Sequence, residues 1–298
     1  MLGKRKRLFE ESVKEMQVES LTIQGVNEWN EDALISNEVL HIYGVADGAS
    51  SLVAYRSKGG ETGGRMASQI VKQSLESEND KNTNLELFVH KANEKIAQKM
   101  QEEKINVEQK DHRWTTGLAV IQIHDQQIEF VQTGDCMILA IYTDGSYREL
   151  TRDHVAQFDN IALSEWRVAV KNGARSQKEI RQQIDPIVRA NKEKMNITGG
   201  YPVLDGSSEA KKFLETGKIN RHHLAEIIIC SDGVFPHEAL DSQTSLDPMQ
   251  ELANQIPKIG ANQYVKQLIE QEEKDPNCLQ YPRFKKSDDK TVIRIVFG

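Results

Sequence analysis

The chain has 298 residues, 38% hydrophobic and 28% charged, with a formal charge of −7 and a mean hydropathy of −0.58. That length suits one large domain or two small ones with a sizeable core, the acidic balance opposes a general nucleic-acid role, and no apolar run approaches the roughly 20 residues of a membrane span. Three distant cysteines, Cys136, Cys230 and Cys278, argue against a disulfide framework or a cysteine-type zinc site, and the basic Lys4 to Arg7 run into Glu10 and Glu11 rather than a signal-type apolar region, so a cytoplasmic protein is expected.

In chain order, Met16 to Ile23 alternates as a half-buried strand, Asp32 to Ile35 reads as a second, and Ile42 to Ala46 as a third that stops at Asp47-Gly48. Short connections suggest that these three form one antiparallel set. Residues 52–64 read as a loop, followed by a helix with Ala67, Ile70, Val71 and Leu75 inward. The next helix has capping-box spacing at Thr83 and Glu86, then Phe88, Ala92, Ile96 and Met100 on one face as far as Lys104. Apolar runs at 118–123, 128–133, 137–142 and 147–150 form a meander, with Asp144-Gly145 as a hairpin turn. From 151 to 224 the pattern loosens, apart from a helix over Gln177 to Lys194 that Pro186 is expected to kink or divide. Ala225 to Cys230 is a buried strand, Leu246 to Gln255 and Ala261 to Gln271 are helices, and Lys290 to Phe297 is a last strand. Helices grouped apart from tightly connected strands indicate an α+β fold with largely antiparallel sheets.

Several of these strands present an acid at an end: Glu31 and Asp32, Asp47, Asp135, Asp232, Asp288 and Asp289. Carboxylates gather while ionised only if cations neutralise them. A set of oxygen donors favours Mg²⁺ or Mn²⁺ over zinc, and two such ions can bind a phosphoryl oxygen and activate water. Hydrolysis of a phosphate ester is therefore expected. The eight histidines are dispersed without metal spacing; His154 lies in a turn, and His222 and His223 lie in an exposed one.

These segments together resemble the metal-dependent type 2C (PPM) protein serine/threonine phosphatases in their bacterial form. Asn30-Glu31-Asp32-Ala33 is similar to N-(E/Q)-D-A, Val45-Ala46-Asp47-Gly48 to V-A-D-G and Thr133-Gly134-Asp135-Cys136 to V-G-D-S. Leu150-Thr151-Arg152-Asp153-His154 is similar to L-T-x-D-H, Cys230-Ser231-Asp232-Gly233 to S-D-G, and Asp288-Asp289-Lys290-Thr291 to D-N-x-T. The resemblance implies a four-layer α-β-β-α sandwich of two packed, mainly antiparallel sheets with the metal site at one end. It implies that Asp47 bridges two Mg²⁺ or Mn²⁺ ions and that the Gly48 carbonyl completes one shell. Asp232 and Asp288 would hold one ion, Glu31 or Asp32 would serve the other, and Asp135 with Asp232 would help hold a third. Asp289 stands where the family has Asn, and is expected either to be drawn into the site or to face solvent. The catalytic set implied is Asp47, Asp232 and Asp288, acting on phosphoserine or phosphothreonine through a metal-activated water.

The chain also departs from that family. Val26-Asn27-Glu28-Trp29 holds no Arg before Asn30 to grip phosphate, which leaves Arg56, Arg65 and Arg113 as candidates. Ala49-Ser50-Ser51 and an insertion follow Asp47-Gly48, without the histidine found in some members. Gly59 to Met66 imitates a P-loop but lacks its Lys-Ser/Thr and its preceding strand, and neither Cys136 nor Cys230 heads a phosphate-cradling loop. The expectation is residues 1–15 as an extension and 16–298 as a single type 2C phosphatase-like domain with 155–224 as a candidate flap. The protein would be a monomer acting on a phosphorylated protein opposite a cognate Ser/Thr kinase, with no nucleic-acid or membrane partner. The alternative is a type 2C-like binding module of little or no activity.

Overall fold

The strands that read as unbroken apolar runs are those buried on both faces. The computed structural model describes residues 16–49, 52–82, 84–242 and 247–298. Among them, one sheet contains β1 (Gln17–Ile23), β10 (Lys290–Val296), β9 (Leu224–Cys230), β6 (Met137–Tyr142) and β7 (Tyr147–Glu149), in that order. The other contains β2 (Asp32–Asn37), β3 (Ile42–Ala49), β4 (Thr115–Ile123), β5 (Gln127–Thr133) and β8 (Glu215–Asn220). All pairings are antiparallel.

Side chains alternate across a strand, so each central strand serves two cores. Tyr43, Val45, Ala119, Ile121, Ile138, Ile227, Ile229, Ile293 and Ile295 meet between the sheets. Their neighbours Ile42, Ala46, Leu118 and Val120 pack outward against α1 (Gly63–Glu76) and α2 (Leu85–Glu102). On the other side Met137, Leu139, Ile228, Cys230 and Val292 pack against α5 (Pro248–Ile259) and α6 (Ala261–Lys274). This is the expected α-β-β-α sandwich.

Several local expectations are corrected. β1 does not join β2 and β3: it pairs with β10, because residues 24–31 carry the chain across to the second sheet, with Gly25 N–H donating to Asp289 Oδ1 and Val26 N–H to the Ser287 carbonyl. The meander is likewise divided, since β5 and β6 lie in different sheets. Residues 151–224 are more ordered than their pattern suggested: α3 (Ala156–Lys171) and α4 (Gln177–Lys192) form a helical pair, and 215–220 adds β8 to an edge. Period-3.6 patterning failed for α3 because its buried stripe is only Ala162, Trp166 and Ala169. Pro186 sits inside α4 without dividing it. Asn84 caps α2, its side chain accepting from Leu87 N–H, while Thr83 lies outside the described residues. Asp247 caps α5 with Pro248 in its first turn; Leu246, Ser50, Ser51 and Lys4 to Arg7 also fall outside.

The α3–α4 pair has a core of its own, in which Trp166, Ala169, Ala174, Ile180 and Ile184 pack with Cys278. Trp166 Nε1 donates to the Cys278 carbonyl at 2.9 Å and Gln177 Nε2 to that of Phe284 at 3.0 Å. The pair is thereby fastened to residues 275–286, the segment that leads into Asp288. No helix among the described residues is long and apolar enough to cross a membrane.

Candidate metal centre

Strand register brings the acids to one end of the sandwich. Asp32 and Asp47 are direct partners across β2 and β3. In the other sheet Cys230 pairs with both Met137 and Val292. Asp135 lies two residues before β6, Asp232 two after β9 and Asp288 two before β10, so that pairing sets the three side by side. Carboxylate oxygens of Asp47 and Asp135 and Sγ of Cys136 lie within 4.8 Å of one another, and the carboxyls of Asp47 and Asp232 are close enough to act on each other.

Two glycines permit this convergence. A Cβ on Gly233 would stand 1.8 Å from the Asp289 carbonyl oxygen, so the turn after Asp232 presses directly on the backbone leading to β10. A Cβ on Gly48 would stand 2.3 Å from the Gly64 carbonyl oxygen, which places the first turn of α1 against Asp47-Gly48. Gly233→Ala is therefore expected to force Asp232 and Asp288 apart. We expect a loss of roughly 1–3 kcal/mol in urea unfolding, with loss of the melting shift produced by Mg²⁺ or Mn²⁺; a variant that keeps the full shift would contradict this role.

Burial, followed by the neighbouring carboxylates, pushes Asp47 and Asp135 well above the usual carboxylate range. Burial also takes Asp32 up to about 7 against the Ser231 and Thr291 hydroxyls, and Asp232 up to about 6. Asp32 Oδ2 accepts from Ser231 Oγ at 2.7 Å, whereas its Oδ1 is buried with no hydrogen-bond partner. An orphaned carboxylate oxygen beside mutually repelling carboxylates fits a hard divalent cation. Cys136 suits that cation poorly: burial drives its thiol well up, so it stays neutral.

Glu31 and Asp289 make contacts of their own beside the cluster. Glu31 Oε1 accepts from Thr62 Oγ1 at the N-terminus of α1, and Lys192 lies close enough to feel its charge. Asp289 neither joins the cluster nor faces solvent. It is 4% exposed and accepts from Gly25 N–H and Glu31 N–H, each at 2.7 Å, which holds the Asn30–Asp32 turn in place.

The three candidate arginines are also engaged away from the acids. Arg56 pairs with Glu28, Arg65 with Glu61 and the Asn30 carbonyl, and Arg113 with Asp205.

A cleft of about 590 Å³ opens beside the cluster, lined by Asp135, Asp232 and Asp288 together with Asp153, Asp159 and Lys285. The last three were missed as site residues. Asp153 lies within the Leu150–His154 motif, where Oδ1 caps α3 by accepting from Val155 and Ala156 N–H. Asp159 follows one turn later, and burial takes it up to about 7; it belongs to no motif, so only the docking of α3 reveals it. Lys285 Nζ lies 2.6 Å from Asp288 Oδ1; a basic pair just ahead of Asp288 was its only sequence signal.

Comparison with known proteins agrees with this architecture. A family model described as protein phosphatase 2C matches residues 24–271. The serine/threonine phosphatase PstP/Ppp of Mycobacterium tuberculosis shares the fold with a TM-score of 0.56 at 19% identity, over 95% of this chain and 99% of that one. A structure of the PstP catalytic domain containing two manganese ions aligns with a TM-score of 0.55 at 17% identity, over 94% and 97%. Serine/threonine phosphatase Stp1 from Staphylococcus aureus gives 0.54 at 15% identity, over 95% of each chain. No curated protein sequence matches significantly. With its family model spanning most of the chain, from the turn before Glu31 to the helix before Asp288, this protein belongs to the protein phosphatase 2C family of serine/threonine phosphatases.

Proposed function

We propose that this protein is an active, Mg²⁺- or Mn²⁺-dependent phosphatase that removes phosphate from phosphoserine or phosphothreonine in a protein. The observation that supports this most directly is the buried, partnerless Asp32 Oδ1 beside the converged carboxyls of Asp47, Asp135 and Asp232. A binding module without chemistry has no need to bear such repulsion.

Asp47, Asp232 and Asp288 would hold the ions, with Asp32 and the Gly48 carbonyl as further donors and Asp135 at a third position. When bound, the ions would supply positive charge for the phosphoryl oxygens and lower the pKa of water. The protein's own part is positioning. Lys290, 1% exposed, donates to Ser287 Oγ and to the Asp288 carbonyl, each at 3.0 Å, and pairs with Glu272, which fixes the turn before β10. The Ser231 hydroxyl joins Asp32 to Thr291 N–H and so ties the two sheets together at the site. Attack in line by water, with no covalent phospho-enzyme, is consistent with thiols that are buried and neutral. Apolar Leu163, Phe235, Met249 and Phe284 share the cleft wall with the acids. Such a wall suits a polypeptide flanking the phosphorylated residue, itself the product of a Ser/Thr kinase.

The test is hydrolysis of para-nitrophenyl phosphate and of phosphoserine and phosphothreonine peptides with Mn²⁺, then after chelation. Turnover lost on chelation and restored by metal is expected. Tight metal binding with no turnover on any of these esters would instead favour the inactive binding module.

A further inference from the structure

We propose that Lys285 is the cation that binds the substrate phosphate, with its ammonium passing between Asp288 and the phosphoryl oxygens. The assignment rests on the phosphatase reading and specifies how that site receives its dianion. Asp135, Asp153, Asp159, Asp232 and Asp288 line the cleft, and Asp47 adjoins Asp135. Two divalent ions supply four positive charges against these six carboxyls, so an incoming phosphate dianion gains from a protein cation at the same point.

Among the described residues, Arg167, Arg283, Lys285 and His237 are the basic side chains that line this cleft. Arg167 pairs with Glu238 at 2.5 Å and donates to the Ala239 carbonyl. Arg283 is 7% exposed and bound to Asp275 and to the backbone at 272, 275, 281 and 286. His237 contacts Glu272 at 2.9 Å. Each of these is held by structure outside the metal cluster. Lys285 differs. Its partner is Asp288 itself, and its ammonium also lies within electrostatic range of Asp47 and Asp232.

The base of this side chain is fixed, and its ammonium is held by Asp288. Phe284 is held by Gln177 through its carbonyl, by the Trp166 ring at 6.4 Å and by the Arg181 guanidinium at 5.9 Å. The Lys285 side chain remains 39% exposed. Asp288 Oδ1 meanwhile also accepts from Asp289 N–H at 2.9 Å, so one donor stays on that oxygen when the ammonium turns to phosphate. The carboxylate of a metal ligand therefore keeps its orientation through the exchange.

The experiment compares wild type with Lys285→Ala, Lys285→Met and Lys285→Arg. It measures calorimetric binding of inorganic phosphate to the Mg²⁺-saturated protein, Mn²⁺ binding by electron paramagnetic resonance, and KM and kcat on a phosphopeptide. Lys285→Ala is expected to weaken phosphate binding and raise KM by about tenfold to a hundredfold, with Mn²⁺ affinity within about threefold and substantial recovery in Lys285→Arg. Lys285→Met keeps the apolar stem and reads the same effect if the alanine variant folds poorly. Unchanged phosphate affinity overturns the assignment. So does a parallel fall in Mn²⁺ affinity, because Lys285 would then serve only to orient Asp288. A wild-type protein that binds phosphate through Lys285 yet hydrolyses no ester would refute the activity and leave this assignment standing.

Discussion

Asp47→Asn is expected to abolish metal-dependent hydrolysis, by about 10³-fold or more, the several kcal/mol that bound ions supply. It is also expected to make the metal-free protein more stable. Asp47 lies opposite Asp32 across the β2–β3 ladder, against Asp135 and within electrostatic range of Asp232. Replacing one carboxylate by a neutral amide of the same shape removes like-charge repulsion in a poorly solvated place, worth roughly 1–3 kcal/mol. The two effects have opposite signs, and that makes the test discriminating. Melting curves of wild type and variant, each with and without Mg²⁺, should show the metal-free variant higher and its metal-induced shift lost. A variant less stable than wild type without metal would mean that the cluster is held by hydrogen bonds rather than strained by charge.

The second large effect lies away from the acids. Asp275 Oδ1 accepts from Leu279 N–H at 2.9 Å, while Oδ2 accepts from Gln280 and Tyr281 N–H and from Arg283 Nη1 at 2.9 Å. Burial pushes this carboxyl up, but the backbone donors of Tyr281, Leu279 and Gln280 together with the Arg283 guanidinium outweigh it and hold it below the usual range. Asp275→Asn leaves Arg283 buried without its counter-charge, at a cost of about 3–5 kcal/mol, measurable as a fall in the urea midpoint at pH 7. The folded carboxyl titrates below the unfolded one. Its contribution is therefore complete above about pH 4, the ordinary aspartate value, and is lost as pH falls through the folded value. The stability gap between wild type and variant should narrow in that acid range; a gap independent of pH would show that the charge of Asp275 does not matter. Because residues 276–286 carry Lys285, the variant should also weaken phosphate binding.

Strand-end aspartates were legible in the sequence because a buried strand has a simple signature, an apolar run that breaks at a polar residue. Asp47, Asp135, Asp232 and Asp288 all stand at an end of such a strand; register sets the last three side by side in one sheet, and only the stacking of the two sheets brings Asp47 to them. Glu31 was not separable from Asp32 in this way. Adjacent residues on a strand point to opposite faces, and the face that reaches α1 can be distinguished from the face that reaches Ser231 only after the layers are stacked. β8 and α3 were missed for a related reason. An edge strand alternating as Glu215–Asn220 does, and a helix stabilised chiefly by Trp166, derive their order from partners distant in sequence.

Composition and local pattern by themselves determined that the chain builds an α+β protein with acids at the ends of buried strands, because burial and turn chemistry act over a few residues. The partnership of those acids was a tertiary outcome. β1 crosses to β10, Asp289 closes the turn before Glu31, and the α3–α4 pair brings Asp159 and the footing of Lys285 to the cleft, each through contacts between segments far apart in the chain. Charge pairing depends on distance in space, and no spacing along the chain showed that Lys285, rather than Arg56, Arg65 or Arg113, reaches the acids.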